Sequence, residues 1–311
     1  MTPAQVATQL RRRAWQQPWP GVYADAGVDL DPTQRAVAAV LASGGAGQPA
    51  PLRPGGRAGL RAIACGRTAA RVHGFLLIDD DDPATGAREA SLDEVAVRTS
   101  RRDLVVAPDG ATRSLCRRRL LLGAGDVRLV PGGLHVTSRL RTIADCAAAL
   151  SREALVCLLD DALHRGLVRR EGLAELVRAR AWCVGAVALR EAVAAADARA
   201  ESPAETLTRL LLLPVLPALV PQVRVHDDRR VVARLDLGDE ELRLGIEADG
   251  RVGHAGEQMV AKDRRRDRTT ERLGWRTERF TWFDLRRRQD EVVTVALAAA
   301  ASQRARVGSP E

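Results

Sequence analysis

The sequence predicts an α/β protein overall. Three observations carry this. Helical and strand periodicities alternate along most of the 311 residues. The segment 201–300 reads as helix, strand, strand, helix, strand, helix, the succession of a small α/β sandwich. Hydrophobic residues make up 46%, which supports a sizeable core, and because only 3% are aromatic the packing rests on Leu, Val and Ala. The length exceeds one average domain. The chain divides by pattern into 1–80, a mixed α+β middle region over 81–200, a C-terminal α/β domain over 201–300 and a tail over 301–311.

Thr2-Pro3-Ala4-Gln5 is a capping box with proline at the first helical position, and it predicts a helix through Arg13. WQQPWPGVYADAG follows as a turn-rich segment around Pro20-Gly21 with the β-formers Val22 and Tyr23. Asp31-Pro32-Thr33-Gln34 opens a second helix closed by glycines, and CGRTAARVHGF a third, stopped by Gly74. ASLDEVAVRTSRRDLVVAP and DVRLVPGGLHVTS read as short strands, Arg139 to Gly166 as two helices, and GLAELVRARAWCVGAVALREAVAAADARA as further helix. Asp160, Asp161 and His164 lie a turn apart, and a solvated helix face accounts for them better than metal ligation. Arg141 and Asp145 read as an i,i+4 ion pair on a helix face.

Ser202-Pro203-Ala204-Glu205 is another capping box, and its helix stops before Pro214. RVVARLDL and LRLGIEADG read as strands joined around GDEE, with Asp239, Glu240 and Glu241 on the solvent side of that turn. A basic helix, EQMVAKDRRRDRTTERLG, the strand WRTERFTW and the helix LRRRQDEVVTVALAAAA complete the region, with Trp275 and Phe280 assigned to the core. Strand parity places Leu235, Leu237, Leu242, Leu244 and Ile246 on an apolar face and Asp236, Glu247 and Asp249 opposite it. Three converging carboxylates repel one another unless a cation or protons intervene, and a hard divalent ion suits oxygen ligands. Against a phosphodiester such an ion activates water, which is what a nuclease needs.

The net charge of +8 and pI near 10.3 favour a polyanionic partner, although Lys262 is the only lysine and an arginine-rich, alanine-rich composition also follows from a GC-rich coding sequence. Five cysteines with no CxxC spacing argue against a disulfide framework or a zinc site and suit a reducing cytoplasm. The first residues lack the apolar run of a signal peptide, and Leu210 to Val223, the longest uncharged apolar stretch, falls short of a membrane span and contains prolines.

RRRAWQQPWPGVYA, TQRAVAAVLAS and RTAARVHG, continued more weakly by GLHVTSRLRTIADCAAAL, resemble the N-terminal winged-helix domain of the AbiEi-type antitoxins, regulators of type IV toxin–antitoxin systems. The resemblance implies a winged helix-turn-helix region over 1–80, DNA as a partner, a cognate toxin protein as another, and Arg11, Arg12 and Arg13 as a backbone-contacting edge. Those arginines read equally well as complements to a helix dipole.

SPAETLTRLL, RLDL, GIEADGRVGH, DRRRDRTTERLGWRTERFTW and FDL, over roughly 201–288, resemble the domain-of-unknown-function family related to the very-short-patch repair (Vsr) endonucleases, within the PD-(D/E)xK nuclease superfamily. This implies a restriction-endonuclease-like domain with a central mixed sheet and Mg²⁺ (or Mn²⁺) as cofactor. It makes Asp236 the first metal-binding acid, Glu247 the second, Asp249 the residue in place of the usual lysine, Glu205 an acid on the preceding helix and His254 the histidine after the Asp-Gly turn. Glu205 also reads as a capping-box carboxylate, and His254 as the end of a turn. The lone lysine sits on the following helix, as a surface residue or one that reaches back to the acids. Arg264, Arg265 and Arg266 would hold the DNA backbone beside the acids, or form a solvated helix laced with i,i+4 pairs. The expectation is a cytoplasmic, metal-dependent DNA endonuclease. Its rivals are a non-catalytic transcriptional regulator that retains a nuclease fold, and an antitoxin acting by protein contact.

Overall fold

Thr2 caps the first helix as its sequence requires. In the computed structural model, which describes residues 1–44, 62–78, 91–97, 104–106, 113–249 and 257–307, α1 (Pro3–Arg11) opens with Thr2 and Gln5 each bonding the other's backbone N–H. It ends before Arg13, which takes a left-handed φ of 52° and turns the chain into β1 (Trp15–Trp19). β1 pairs antiparallel with β2 (Val22–Asp25) around Pro20-Gly21, where Gly21 supplies the positive φ that this turn needs. α2 (Pro32–Ala42) carries the second capping box, from Asp31 and Gln34.

β3 (Ala62–Ala64), α3 (Gly66–Val72), β4 (Ser91–Val97), β5 (Leu104–Val106), β6 (Arg113–Arg118), β7 (Val127–Val130) and β8 (Leu134–Thr137) follow. The six strands make one sheet in the order β5-β6-β4-β3-β8-β7. The alanine stripe of α2 lets it lie close to this sheet: Ala38 and Ala39 pack with Trp19, Ala62, Val95 and Leu115, and Ala36 with Ala64, Leu134 and Val136. β3, from the stretch 1–80, therefore hydrogen-bonds to β4 and β8 of the stretch 81–200, and the two stretches share a sheet. α4 (Arg139–Ala147), α5 (Arg152–His164), α6 (Arg170–Ala179) and α7 (Ala186–Ala195) come next.

Gly66 is the tightest position in this part. Its φ is 52°, and a Cβ there would collide with the Glu94 carboxylate, which accepts the Arg67 N–H at 2.7 Å and pairs with Arg118 at 2.8 Å. Gly66→Ala is expected to cost about 2–4 kcal/mol of unfolding free energy through backbone strain and displacement of a buried, bonded carboxylate. A denaturant midpoint equal to wild type would contradict it.

The chain divides into two units, Met1–Leu158 with Leu167–Val193, and Leu159–Gly166 with Ala194–Glu311. The second contains α8 (Pro203–Leu212), β9 (Val220–Asp227), β10 (Arg230–Asp239), β11 (Leu244–Asp249), α9 (Glu257–Arg272), β12 (Arg276–Thr281), α10 (Trp282–Arg287) and α11 (Gln289–Val307). Its strands form a mixed sheet, β12-β11-β10-β9, in which β10 runs antiparallel to both neighbours and β11 parallel to β12. β9 is an addition to the elements that the sequence predicts, since Val220–Asp227 follows Pro214 and Pro217, contains Pro221 and shows no clear strand pattern. Gln222, with φ 61°, breaks the alternation that would mark it as a strand.

Register in this sheet is set by burial. Leu235 and Leu237 are 1% exposed and Leu244 and Ile246 fully buried, each contributing roughly 1.5–3 kcal/mol. A slip of one residue would turn all four to the other face and bring Asp236 and Glu247 in, so the apolar set holds the acids where they are. Phe280 is in the core, as expected, and Trp275 packs at its margin, against Val225, Ala233 and Leu235. Asp239 differs from the solvent-side expectation: it lies in β10, 8% exposed, and its Oδ1 accepts the Leu242 N–H at 3.0 Å. The turn begins one residue later because Asp239 still pairs with Leu244. No helix among the described residues is long and apolar enough to cross a membrane, and no disulfide joins the five cysteines.

Candidate functional site

A row of polar residues crosses the acid-bearing face of the mixed sheet, one from each strand. Leu237 pairs with Ile246, so the next step along the ladder sets Asp236 of β10 beside Glu247 of β11. Glu247 pairs in parallel register with Arg279 of β12. On the other side, Leu235 pairs with Val223 and Leu237 with Pro221, which leaves Gln222 of β9 beside Asp236. Ion pairs and hydrogen bonds follow this row.

Glu247 is 9% exposed and is held on one oxygen by two guanidinium groups: Arg279 Nε donates to its Oε2 at 2.8 Å, and Arg266 of α9 donates to the same atom at 2.7 Å. Arg279 in turn forks onto Asp267 of α9, at 2.8 and 2.5 Å. These bonds hold Asp267 below the usual carboxylate range and raise Arg279 further. Asp236 accepts the Ala248 N–H on Oδ2 at 2.8 Å. Burial, then the nearby Glu205 and Glu247 charges, push its carboxyl up to about 6 against the ordinary 3.8, with the Ala248 bond opposing.

Glu205 sits on the first turn of α8, where Ser202 caps its N–H at 3.2 Å. The reciprocal half of the expected capping box is absent. Its carboxylate instead accepts the Glu201 N–H at 3.0 Å and the Gln222 side-chain amide at 2.9 Å, both on Oε2, and so ties α8 to the edge strand. Arg234, two residues before Asp236, makes a two-bond pair with Glu201 at 2.7 and 2.8 Å.

Asp249 closes β11, exposed and opposite Thr281, one pleat beyond Glu247. His254 lies outside the described residues. Arg265 is exposed on α9, and Arg264 belongs to the part of that helix in which the backbone alone is described. Arg11, Arg12 and Arg13 are all exposed at the end of α1, with Arg11 reaching Thr8 at 3.3 Å. Sequence pattern offers no means of finding Gln222, Asp267 or Arg279. What selects them is strand pairing and the approach of α9, neither of which is a local pattern.

Two other clusters depart from expectation. Asp160 is not on a solvated face: it is 1% exposed, pairs with Arg209 at 2.8 Å and also accepts Thr206 Oγ1 and the Asp197 N–H. α8 covers α5 on that side, which makes a polar-looking face an interior one. Asp161 stays near the surface with Arg165, and His164 bonds the Ala198 carbonyl at 3.1 Å. Arg141 and Asp145 do pair at 2.9 Å, but inside the protein, at 5% and 7% exposure, with Asp126 as a second partner of Arg141.

Among the described residues, no group of three or more His, Cys, Asp and Glu side chains is placed to hold one metal ion together. A hydrated Mg²⁺ or Mn²⁺ needs less, because it takes one or two carboxylates and keeps several waters. Asp236 and Glu247 suit that in kind. Each is bonded through a single oxygen, leaving Asp236 Oδ1 and Glu247 Oε1 outside those bonds. Gln222 Oε1 is buried with no hydrogen-bond partner, a cost that a cation or its water would relieve.

The raised Asp236 carboxyl makes stability depend on pH. With a folded value near 6 and an ordinary value of 3.8, the folded protein takes up a proton on Asp236 before the unfolded chain does. This group's contribution to stability is present below about pH 4 and lost as pH rises through about 6. Asp236→Asn, which mimics the protonated form, is expected to stabilise the chelator-treated protein at about pH 7.5 and to lose that advantage near pH 4.5. Equal denaturant midpoint differences at both values would contradict the assignment.

Two curated proteins of Mycobacterium tuberculosis are similar to this chain: Uncharacterized protein MT2308 of strain CDC 1551 / Oshkosh and Uncharacterized protein Rv2248 of strain ATCC 25618 / H37Rv. Each is 30% identical over 156 residues, 50% of this chain and 58% of the relative. The chain thus spans somewhat over half the length of the relatives it matches. No family model matches the chain, and no solved structure does.

Proposed function

We propose that the second unit is a metal-dependent nuclease of the PD-(D/E)xK type, related to the Vsr-like family, and that it hydrolyses DNA phosphodiesters at Asp236 and Glu247. One observation carries the reading: two adjacent strands bring these acids side by side, each with one oxygen outside its protein hydrogen bonds, next to the buried, unpartnered Gln222 Oε1. The α8-β9-β10-β11-α9-β12 order, with β11 parallel to β12, supports the resemblance to a restriction-endonuclease-like domain.

Hydrolysis adds one water across the phosphodiester: a P–O bond forms from the water oxygen as the P–O bond to the leaving oxygen breaks, the water gives up a proton to solvent, and the leaving oxygen takes a proton from solvent to become a hydroxyl. Asp236 and Glu247 would hold Mg²⁺ or Mn²⁺, whose chemistry is to lower the pKa of a water and offset charge on the phosphate. The Ala248 N–H orients Asp236 and Arg279 orients Glu247. Glu205 adds negative charge beside Asp236. Asp249 and His254, at and beyond the end of β11, belong to the proposed site through the resemblance alone. Arg264, Arg265 and Arg266 supply cations for the DNA backbone.

The test is incubation of the full chain with plasmid and linear DNA, with Mg²⁺ or Mn²⁺ and with chelator. Cleavage that requires the metal is expected; its absence on every substrate would overturn the reading. A second reading, a DNA-binding regulator or antitoxin in which the acids are inert, draws on the neutralisation of Glu247 by two arginines. It puts DNA contact on Arg11, Arg12 and Arg13, in a cytoplasmic protein with a toxin as partner. Because β3 ties the first stretch into the six-stranded sheet, the arginines are best tested in the full chain. Replacing all three by Ala is expected to weaken DNA binding and to lower its salt slope by about 0.9 for each phosphate that is no longer neutralised. An unchanged slope would assign them to the helix end alone.

A further inference from the structure

The two arginines on Glu247 are not equivalent. Arg279 is committed in three directions, with Nε on Glu247 and both terminal nitrogens on Asp267, and its strand neighbour is Glu247 itself. Arg266 gives Glu247 a single bond from one terminal nitrogen, at 2.7 Å, and its Nε stands 4.0 Å from Asp267. It projects from a helix and is 31% exposed, against 38% for Arg279, so what separates the two is their bonds and not their access to solvent. A guanidinium with one strong bond and access to solvent can leave at modest cost, whereas one clamped by two carboxylates cannot.

We propose that Arg266 is the exchangeable partner of Glu247, held on Oε2 by the carboxylate charge while no cation is bound and turning to a phosphate oxygen of the nucleic acid when a divalent cation on Oε1 neutralises that charge. The proposal rests on the nuclease reading above. Arg279 is then a positioning residue that keeps Glu247 in register throughout. The physical basis is competition: Arg266 and a divalent cation both draw their binding energy from the charge on one buried carboxylate, so each must weaken the other by the same factor. Release also places a freed fork of N–H donors beside the site, where a phosphate can accept two bonds at once.

The experiment measures metal affinity without DNA or turnover. Mn²⁺ alone is titrated calorimetrically into the full chain as wild type, Arg266→Ala, Arg268→Ala and Glu247→Gln, with Arg266→Gln in reserve should the alanine variant fail to fold. Arg266→Ala is expected to bind Mn²⁺ roughly fivefold tighter than wild type, the scale of one lost partly exposed ion pair. Arg268→Ala, which removes the same charge from an exposed position two residues along α9, should leave Mn²⁺ affinity near wild type. With Ca²⁺ in place of Mn²⁺, so that a cation is bound, binding of a DNA duplex should fall for Arg266→Ala by more than it does in chelator, and recover in part with Arg266→Lys. Equal tightening by both alanine variants would reduce the effect to general electrostatics and overturn the exchange. Mn²⁺ uptake abolished by Glu247→Gln but indifferent to Arg266 would overturn the exchange while leaving the nuclease reading intact. Wild-type protein that takes up no Mn²⁺ and cuts no DNA would overturn both.

Discussion

Glu247→Gln is expected to lower metal-dependent DNA cleavage by roughly a thousandfold, on the scale of losing a group that stabilises charge at a reacting phosphate. The side chain keeps its volume and one acceptor oxygen, so the Arg266 and Arg279 bonds can persist in weaker, neutral form while the charge required by a cation is gone. DNA affinity should hold or rise slightly, because a negative charge facing the phosphates has been removed. Single-turnover cleavage and a binding titration in chelator separate the two effects. If cleavage survives, the acids are a sheet face balanced by arginine, and the resemblance to a nuclease concerns fold alone.

Asp160→Ala is expected to be the most destabilising simple substitution in the second unit, by about 3–5 kcal/mol. Asp160 and Arg209 are 1% and 6% exposed, and Asp160 also accepts bonds from Thr206 and Asp197. Burial pushes the Asp160 carboxyl up despite Arg209, so the intact network adds little stability of its own. Removing the acid, however, leaves a buried guanidinium with the Ala195 carbonyl as its remaining bonded acceptor. The cost reaches the site, since Arg209 and Thr206 lie on α8, the helix that holds Glu205 next to Gln222. Chemical unfolding measures the loss. A change under about 1 kcal/mol would mean that water enters and solvates Arg209.

Asp239 and Asp160 show where pattern misplaces a charge. Pattern puts both in solvent because acids in a turn, or on one face of an amphipathic helix, ordinarily are. Asp239 is buried because the β10–β11 ladder continues through it. Asp160 is buried because α8 carries its own cation, Arg209, to that face. Neither fact is local, and a partner 49 residues away leaves no periodic trace.

Local chemistry is sufficient elsewhere. The caps at Thr2, Asp31 and Ser202 start α1, α2 and α8 because a side-chain oxygen satisfies an N–H that the first turn leaves open. The alternation of Leu235, Leu237, Leu244 and Ile246 with Asp236 and Glu247 sorts the sheet faces, since strand side chains alternate and only one set gains by leaving water. Local pattern thus establishes most of the elements of the second unit and that the acids share a face. The partners of those acids come from packing. The parallel pairing of β11 with β12 sets Arg279 beside Glu247, α9 adds Arg266 and Asp267, and α8 brings Glu205 to Gln222. Such ion pairs depend on charges meeting within about 3 Å, and that distance is fixed by how the strands and helices pack.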